Sequence, residues 1–170
     1  MDARPDLDVE LLLRGLTARG VDFVIIGGVA ATLFGSPRTT FDLDICFATD
    51  QTNLESLGEV LTGLGARLRG VPEDLPFTPD ATTLSRIEVL TMSTRAGDLD
   101  VLSNPKGAPP YVRLRAQAER LLVGDFAVLV ASLDDLIAMK RAAGRPKDLL
   151  DIEELEAIRR LRRRIKPKTG

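Results

Sequence analysis

Two carboxylates, Asp42 and Asp44, stand two positions apart inside an otherwise apolar segment, Thr40 to Phe47. Phe41, Leu43, Ile45 and Phe47 alternate with Asp42, Asp44 and Cys46, which is the period of a strand with one buried face. On such a strand both carboxylates point the same way. Two anions held together cost energy unless protons or a cation neutralise them. The simplest reading without a ligand is a solvated strand face.

The segment before it narrows the choice of fold. Phe23 to Phe34 is an apolar run of 12 residues, broken by Gly27-Gly28. A membrane-spanning helix needs about 20, so the run reads as a buried strand, Val21 to Ile26, entering a short helix, Val29 to Phe34. Glycines at such a junction let a phosphate approach the backbone, and the helix start turns free N–H groups toward it. A Gly pair is also what any tight turn uses.

Further elements follow from periodicity and punctuation. Residues 6–19 read as an amphipathic helix capped by Asp6 or Asp8, and 52–64 as another. The stretch 71–83, with Pro72, Pro76 and Pro79, reads as a loop. Strands are expected at about 85–92 and 98–103, turning at Arg95-Ala96-Gly97, and at Phe126 to Val130. Residues 112–121 read as helical. Ser132, with Asp135 three residues on, begins a helix closed by Gly144, and Pro146 opens the last helix, about 146–163. The chain is expected to be one domain over 1–170, with 132–165 a C-terminal helical subregion and 166–170 a basic tail. The class is α/β (α+β): a mixed sheet of about five strands flanked by helices.

Composition limits the chemistry. There is no His and a single Cys, Cys46, which excludes His-based acid–base catalysis, Ser-His-Asp and Cys-His nucleophiles, structural zinc and an intramolecular disulfide. Carboxylates, Lys, Arg and hydroxyls are left. The polar N-terminus carries no export signal, so the expected location is cytoplasmic, with no membrane partner. Net charge is −2, but the signs are segregated. Arg159, Arg160, Arg162, Arg163, Arg164, Lys166 and Lys168 crowd residues 159–170, leaving 16 basic against 25 acidic side chains elsewhere. This end can be an RNA-contacting arm or a set of charges that complement a helix dipole.

A second carboxylate pair, Asp98 and Asp100, lies in the later strand. If that strand pairs beside the first, Asp98 or Asp100 completes a cluster of three, able to hold two metal ions about 3.5–4 Å apart for an in-line phosphoryl displacement. Magnesium suits such an all-oxygen set.

Taken in order, Gly27-Gly28, then 13 residues, then Asp42-Leu43-Asp44-Ile45 resembles the signature of the nucleotidyltransferase superfamily that includes DNA polymerase beta. The wording of 25–45 and of Ser132 to Asp148 resembles its small bacterial branch, which includes toxins of toxin–antitoxin and abortive-infection systems. The resemblance spans about residues 21–155. It implies that Gly27, Gly28 and Arg38 contact nucleotide phosphates. Asp42 and Asp44 would be catalytic metal ligands, and Asp100, preferred over Asp98, a metal ligand, the general base for the attacking hydroxyl, or both. Lys140 would be catalytic, offsetting charge on departing pyrophosphate, with Asp148 orienting it or touching the nucleotide. Lys140 and Asp148 can equally form a salt bridge between helices, and Arg145 and Lys147 can be solvated charges. The Ser that usually follows the glycines is Val29 here. The implied activity is transfer of NMP from an NTP to a hydroxyl acceptor, RNA or tRNA first, with Mg2+ (two ions) or Mn2+ as cofactor and an antitoxin as a partner. The alternatives are a small-molecule nucleotidyltransferase of the antibiotic-modifying kind and a catalytically weak nucleotide-binding module.

Overall fold

A computed structural model describes residues 4–166. Its sheet has seven strands in the order β3-β4-β5-β2-β1-β7-β6. They are β1 (Phe23–Ile26), β2 (Asp42–Phe47), β3 (Arg67–Leu68), β4 (Val89–Thr94), β5 (Gly97–Leu102), β6 (Glu119–Val123) and β7 (Phe126–Val130). Among the described residues seven helices accompany them: α1 (Val9–Ala18), α2 (Gly27–Leu33), α3 (Gln51–Gly63), α4 (Ala81–Ser85), α5 (Tyr111–Gln117), α6 (Leu133–Ala143) and α7 (Pro146–Ile165).

The centre of the sheet is mixed. β1 runs antiparallel to β2 and parallel to β7, while β2 runs parallel to β5. Outer hairpins β4–β5 and β6–β7 extend it on both sides. Leu43, Ile45, Leu99 and Val101 are fully buried on these central strands. Leu12, Leu13 and Leu16 of α1 and Leu57 and Leu61 of α3 are fully buried as well, and these two helices pack on each other. Each such side chain contributes about 1.5–3 kcal/mol relative to exposure.

Several expectations are corrected. The strand count is seven rather than about five, because β3 and β6 are added. Residues 119–121, expected as the end of a helix, belong to β6 instead. Gly124 (φ +60°) turns the chain so that β6 hydrogen-bonds to β7, and this ladder outweighs the local helical pattern. The expected loop 71–83 contains the start of α4, capped by Asp80, whose carboxylate accepts from the Thr83 N–H at 2.8 Å. β4 accordingly begins at Val89, not at 85. Phe41, expected inside the strand, lies before it and is 80% exposed. α2 begins at the glycines themselves. Asp8, not Asp6, caps α1, and Ser132 caps α6 through its Oγ, which accepts from the Asp135 N–H.

Asn53 ties α3 to the strands that carry the carboxylates. It is buried, its Nδ2 donates to the carbonyls of Asp22 (3.0 Å) and Ala48 (2.7 Å), and its Oδ1 accepts from the Asp22 N–H (2.7 Å). Asp22 precedes β1 and Ala48 follows β2, so one amide clamps both strand ends. Replacement by Ala strands buried backbone groups at about 1–3 kcal/mol each. Asn53→Ala is therefore expected to lower unfolding free energy by about 3 kcal/mol in urea titration. A loss under about 0.5 kcal/mol would mean that water replaces the clamp.

Candidate active site

The β2–β5 register makes the site. Asp42 stands opposite Asp98, and Asp44 opposite Asp100. In-phase side chains on neighbouring strands share a face, so all four carboxylates line the side opposite Leu43, Ile45, Leu99 and Val101. Asp42, Asp44 and Asp100 each offer an oxygen within 4.8 Å of the others. Asp98 is outside this trio; it accepts from Ser93 Oγ (2.8 Å) and Arg69 Nη1 (2.9 Å). The choice between Asp98 and Asp100 as third member thus falls to Asp100.

The glycine turn closes over the trio from the β1 side. Ile26 pairs with Asp44, and Gly27 follows with φ +70°. A Cβ on Gly27 would lie 2.2 Å from Asp44 Oδ2, and one on Gly28 would lie 2.8 Å from Thr40 Oγ1. Both glycines are required by this close approach, besides the backbone conformation at Gly27.

Burial, and then the charges of Asp42 and Asp100, push the Asp44 carboxyl up to about 7, with the Lys140 ammonium acting in the opposite sense. Asp100 is also raised, first by burial, while Arg69 pulls it back. Hard oxygen donors this close, with one carboxyl inclined to keep its proton, fit a divalent cation.

The remaining expected residues form a second group. Lys140 Nζ donates to Asp151 (2.9 Å) and Asp148 (3.4 Å). Arg38 pairs with Asp151 (2.5 Å) and Glu154 (3.4 Å). Asp148 is almost wholly buried and accepts from the Arg145 N–H (3.0 Å) and Nε (2.9 Å). The hydrogen bond from Arg145 is the first cause holding its carboxyl down, at about 2. Lys140 and Asp148 thus form the interhelical salt bridge, with Asp148 doubling as a cap of α7. Arg145 is bound to Asp148 rather than freely solvated. Arg38 and Lys140, expected at phosphates, share Asp151 as counter-ion.

Sequence reasoning missed Arg69, Asp151, Ser93 and Asn53. Asp151 lies three residues after Asp148 and so on the same side of α7, a spacing that could have identified it. Arg69 stands at the start of a Pro- and Gly-rich stretch and carries no periodic signal. At the basic end α7 runs to Ile165, about two residues past the expected 163, and its late arginines lie on the helix as expected. Arg159 pairs with Asp134, and Arg162 with Glu119 and the Phe34 ring. Arg160, Arg163, Arg164 and Lys166 are exposed, and Lys168 lies outside the described residues.

Residues 11–165 match the family described as nucleotidyl transferase AbiEii toxin, type IV toxin–antitoxin system. The chain belongs to this family. It is a nucleotidyltransferase. No curated protein matches it. Among solved structures, the lincosamide antibiotic adenylyltransferase LnuA, bound to lincomycin, is 16% identical, with a TM-score of 0.60 over 90% of this chain and 99% of that one. The antibiotic-resistance factor ANT(2'')-Ia is 16% identical, with a TM-score of 0.55 over 91% and 89%. An antigenic nucleotidyltransferase-like protein from Paracoccidioides brasiliensis is 18% identical, with a TM-score of 0.60 over 94% and 79%. At these identities the likeness is one of fold. Among the described residues no helix is long and apolar enough to cross a membrane.

Because the Asp44 carboxyl is raised to about 7, its ionisation opposes folding as pH rises above the unfolded value of 3.8, and the penalty is complete above about 7. Asp44→Asn in EDTA is therefore expected to raise Tm at pH 8, by roughly 2–4 °C per kcal/mol relieved, with a gain that shrinks toward pH 4. Scanning calorimetry across that range checks it. A difference independent of pH would contradict the charge argument.

Proposed function

We propose that this AbiEii-family protein moves a nucleoside monophosphate from an NTP to a hydroxyl acceptor, with RNA, tRNA first, as that acceptor. The observation that carries the reading is the trio Asp42, Asp44 and Asp100, gathered within 4.8 Å beneath the Gly27-Gly28 turn. Those three carboxylates would hold magnesium. When bound, it supplies positive charge to the transferring phosphoryl group and the departing pyrophosphate.

The chain's own residues take the other parts. The turn at Gly27 and Gly28 leaves room for phosphate oxygens against the backbone, since side chains there would collide with Asp44 and Thr40. Lys140 and Arg38 answer the charge of the triphosphate, drawn from the acidic residues that hold them now. Asp148 orients Lys140. Asp100 accepts the proton of the attacking hydroxyl, so that the new phosphodiester bond forms as the bond to pyrophosphate breaks. The exposed Arg160, Arg163, Arg164 and Lys166 add a basic strip to the last helix that would attract an RNA backbone. The family description supports a toxin role, with an antitoxin as the opposing partner.

A second reading, a small-molecule acceptor, draws support from a cavity of about 620 Å³ walled by Arg69 and Ser93, both bonded to the carboxylate face. That volume suits a small ligand.

The test is transfer of α-phosphate label from each NTP to total tRNA in magnesium. Label is expected on tRNA, at least about 100-fold less with Asp44→Ala, and declining steeply with salt. Label on tRNA that survives Asp44→Ala would refute the assigned trio. Label that reaches only a small hydroxyl compound would favour the second reading.

A further inference from the structure

Arg69 lies one residue beyond β3, where its N–H donates to the Thr91 carbonyl at 3.0 Å and fixes its main chain beside β4. Its guanidinium reaches back across the carboxylate face. Nη1 donates to Asp98 Oδ2 at 2.9 Å and lies 3.9 Å from Asp42 Oδ2, while Nη2 donates to Asp100 Oδ1. One side chain, 21% exposed, therefore spans three of the four aspartates, two of them in the trio proposed to hold metal.

A guanidinium never gives up its charge, and its fork matches carboxylate oxygens. A divalent cation seeks the same oxygens, and a guanidinium bonded to them opposes its approach by charge repulsion. We propose that Arg69 is the resident counter-cation of this site, and that a divalent metal enters only as the guanidinium withdraws from Asp42 and Asp100. The proposal rests on the metal-site reading above.

The surroundings provide a place for the withdrawn group. Asp98 is buried, lies outside the trio and is held by Ser93, so it remains as an anchor for Nη1. Arg69 also walls the 620 Å³ cavity, together with Arg4, Arg67 and Phe77. The strand order puts this cavity on the β4 side of the cluster, away from the glycine turn that follows β1. Withdrawal would thus move positive charge toward the side opposite the nucleotide, where an anionic acceptor would approach.

The experiment is Mn2+ binding to the full chain without nucleotide, measured by calorimetry and by the electron paramagnetic resonance of free Mn2+. Arg69→Gln is expected to bind Mn2+ about tenfold tighter than the unaltered protein. Arg69→Lys, a compact charge without the guanidinium's fork, should fall between them. Equal or weaker binding by Arg69→Gln would overturn the proposal and make Arg69 a residue that merely holds Asp98 and Asp100 in place. Should Arg69→Gln not fold, the unaltered protein decides. The Arg69 Nε–Hε signal, identified by its loss in Arg69→Lys, is expected to shift on Mg2+ addition, and a stationary signal would overturn the proposal. If Mn2+ binds neither the unaltered protein nor any folded Arg69 variant, the metal-site reading itself falls, and this one with it.

Discussion

Like charges on adjacent parallel strands are the constraint to which this molecule is built. The register of β2 on β5 sets Asp42 beside Asp98 and Asp44 beside Asp100. A slip of one residue would turn one pair into the core and Leu43 or Leu99 out to water. The register is therefore enforced from behind. Leu43, Ile45, Leu99 and Val101 bury completely on the far face, and their burial keeps repelling carboxylates together on the near one. Burial of the apolar face opposes the repulsion, and Arg69 relieves part of it directly.

The same constraint explains why glycine stands where it does. β1 delivers its end against Asp44, and the chain must enter α2 at that point. A side chain at Gly27 would occupy the space of an aspartate oxygen. The turn, the carboxylate and the strand pairing are thus one geometric unit. This is why the spacing from Gly27-Gly28 to Asp42-Leu43-Asp44 carries more information than either motif alone. It measures the connection needed to leave the glycine turn, form α2 and return antiparallel alongside β1.

Legibility in the sequence follows from how local each feature is. The alternation around Asp42 and Asp44, the apolar run at 23–34 and the Ser132 and Pro146 helix starts are local, and all could be read. The nearness of Asp100 is not local. It depends on the pairing of β5 with β2; the local pattern of Asp98 and Asp100 is the same, and only the family resemblance favours Asp100. β6 was misread because its pattern suits a helix, while the pairing that makes it a strand is supplied by β7. Arg69 is the extreme case. An isolated Arg in a loop-like stretch has no periodic partner, and only the folded sheet shows that it lies across the site.

Both flanks of the cluster are held by ion pairs that a nucleotide would have to exchange. On one side Arg69 bridges aspartates; on the other Lys140 and Arg38 converge on Asp151, and Arg145 on Asp148. Arg38, Arg69, Lys140 and Arg145 each already have a carboxylate partner, but the carboxylates Asp42, Asp44, Asp98, Asp100, Asp148, Asp151 and Glu154 outnumber them, so the resting site stays acidic. Such pairs contribute little where they reach solvent, which makes their exchange for the charge of a triphosphate feasible. Asp148 is the exception, because it is buried and caps α7, so in the proposed reaction it would stay in place while Lys140 and Arg38 turned from Asp151 toward the phosphates. On that reading the α6–α7 pair would keep one buried carboxylate as a fixed partner for the lysine and offer partly exposed ones as exchangeable partners. A site built this way carries the cost of its crowded carboxylates in ion pairs that a highly charged ligand with its own cation would exchange.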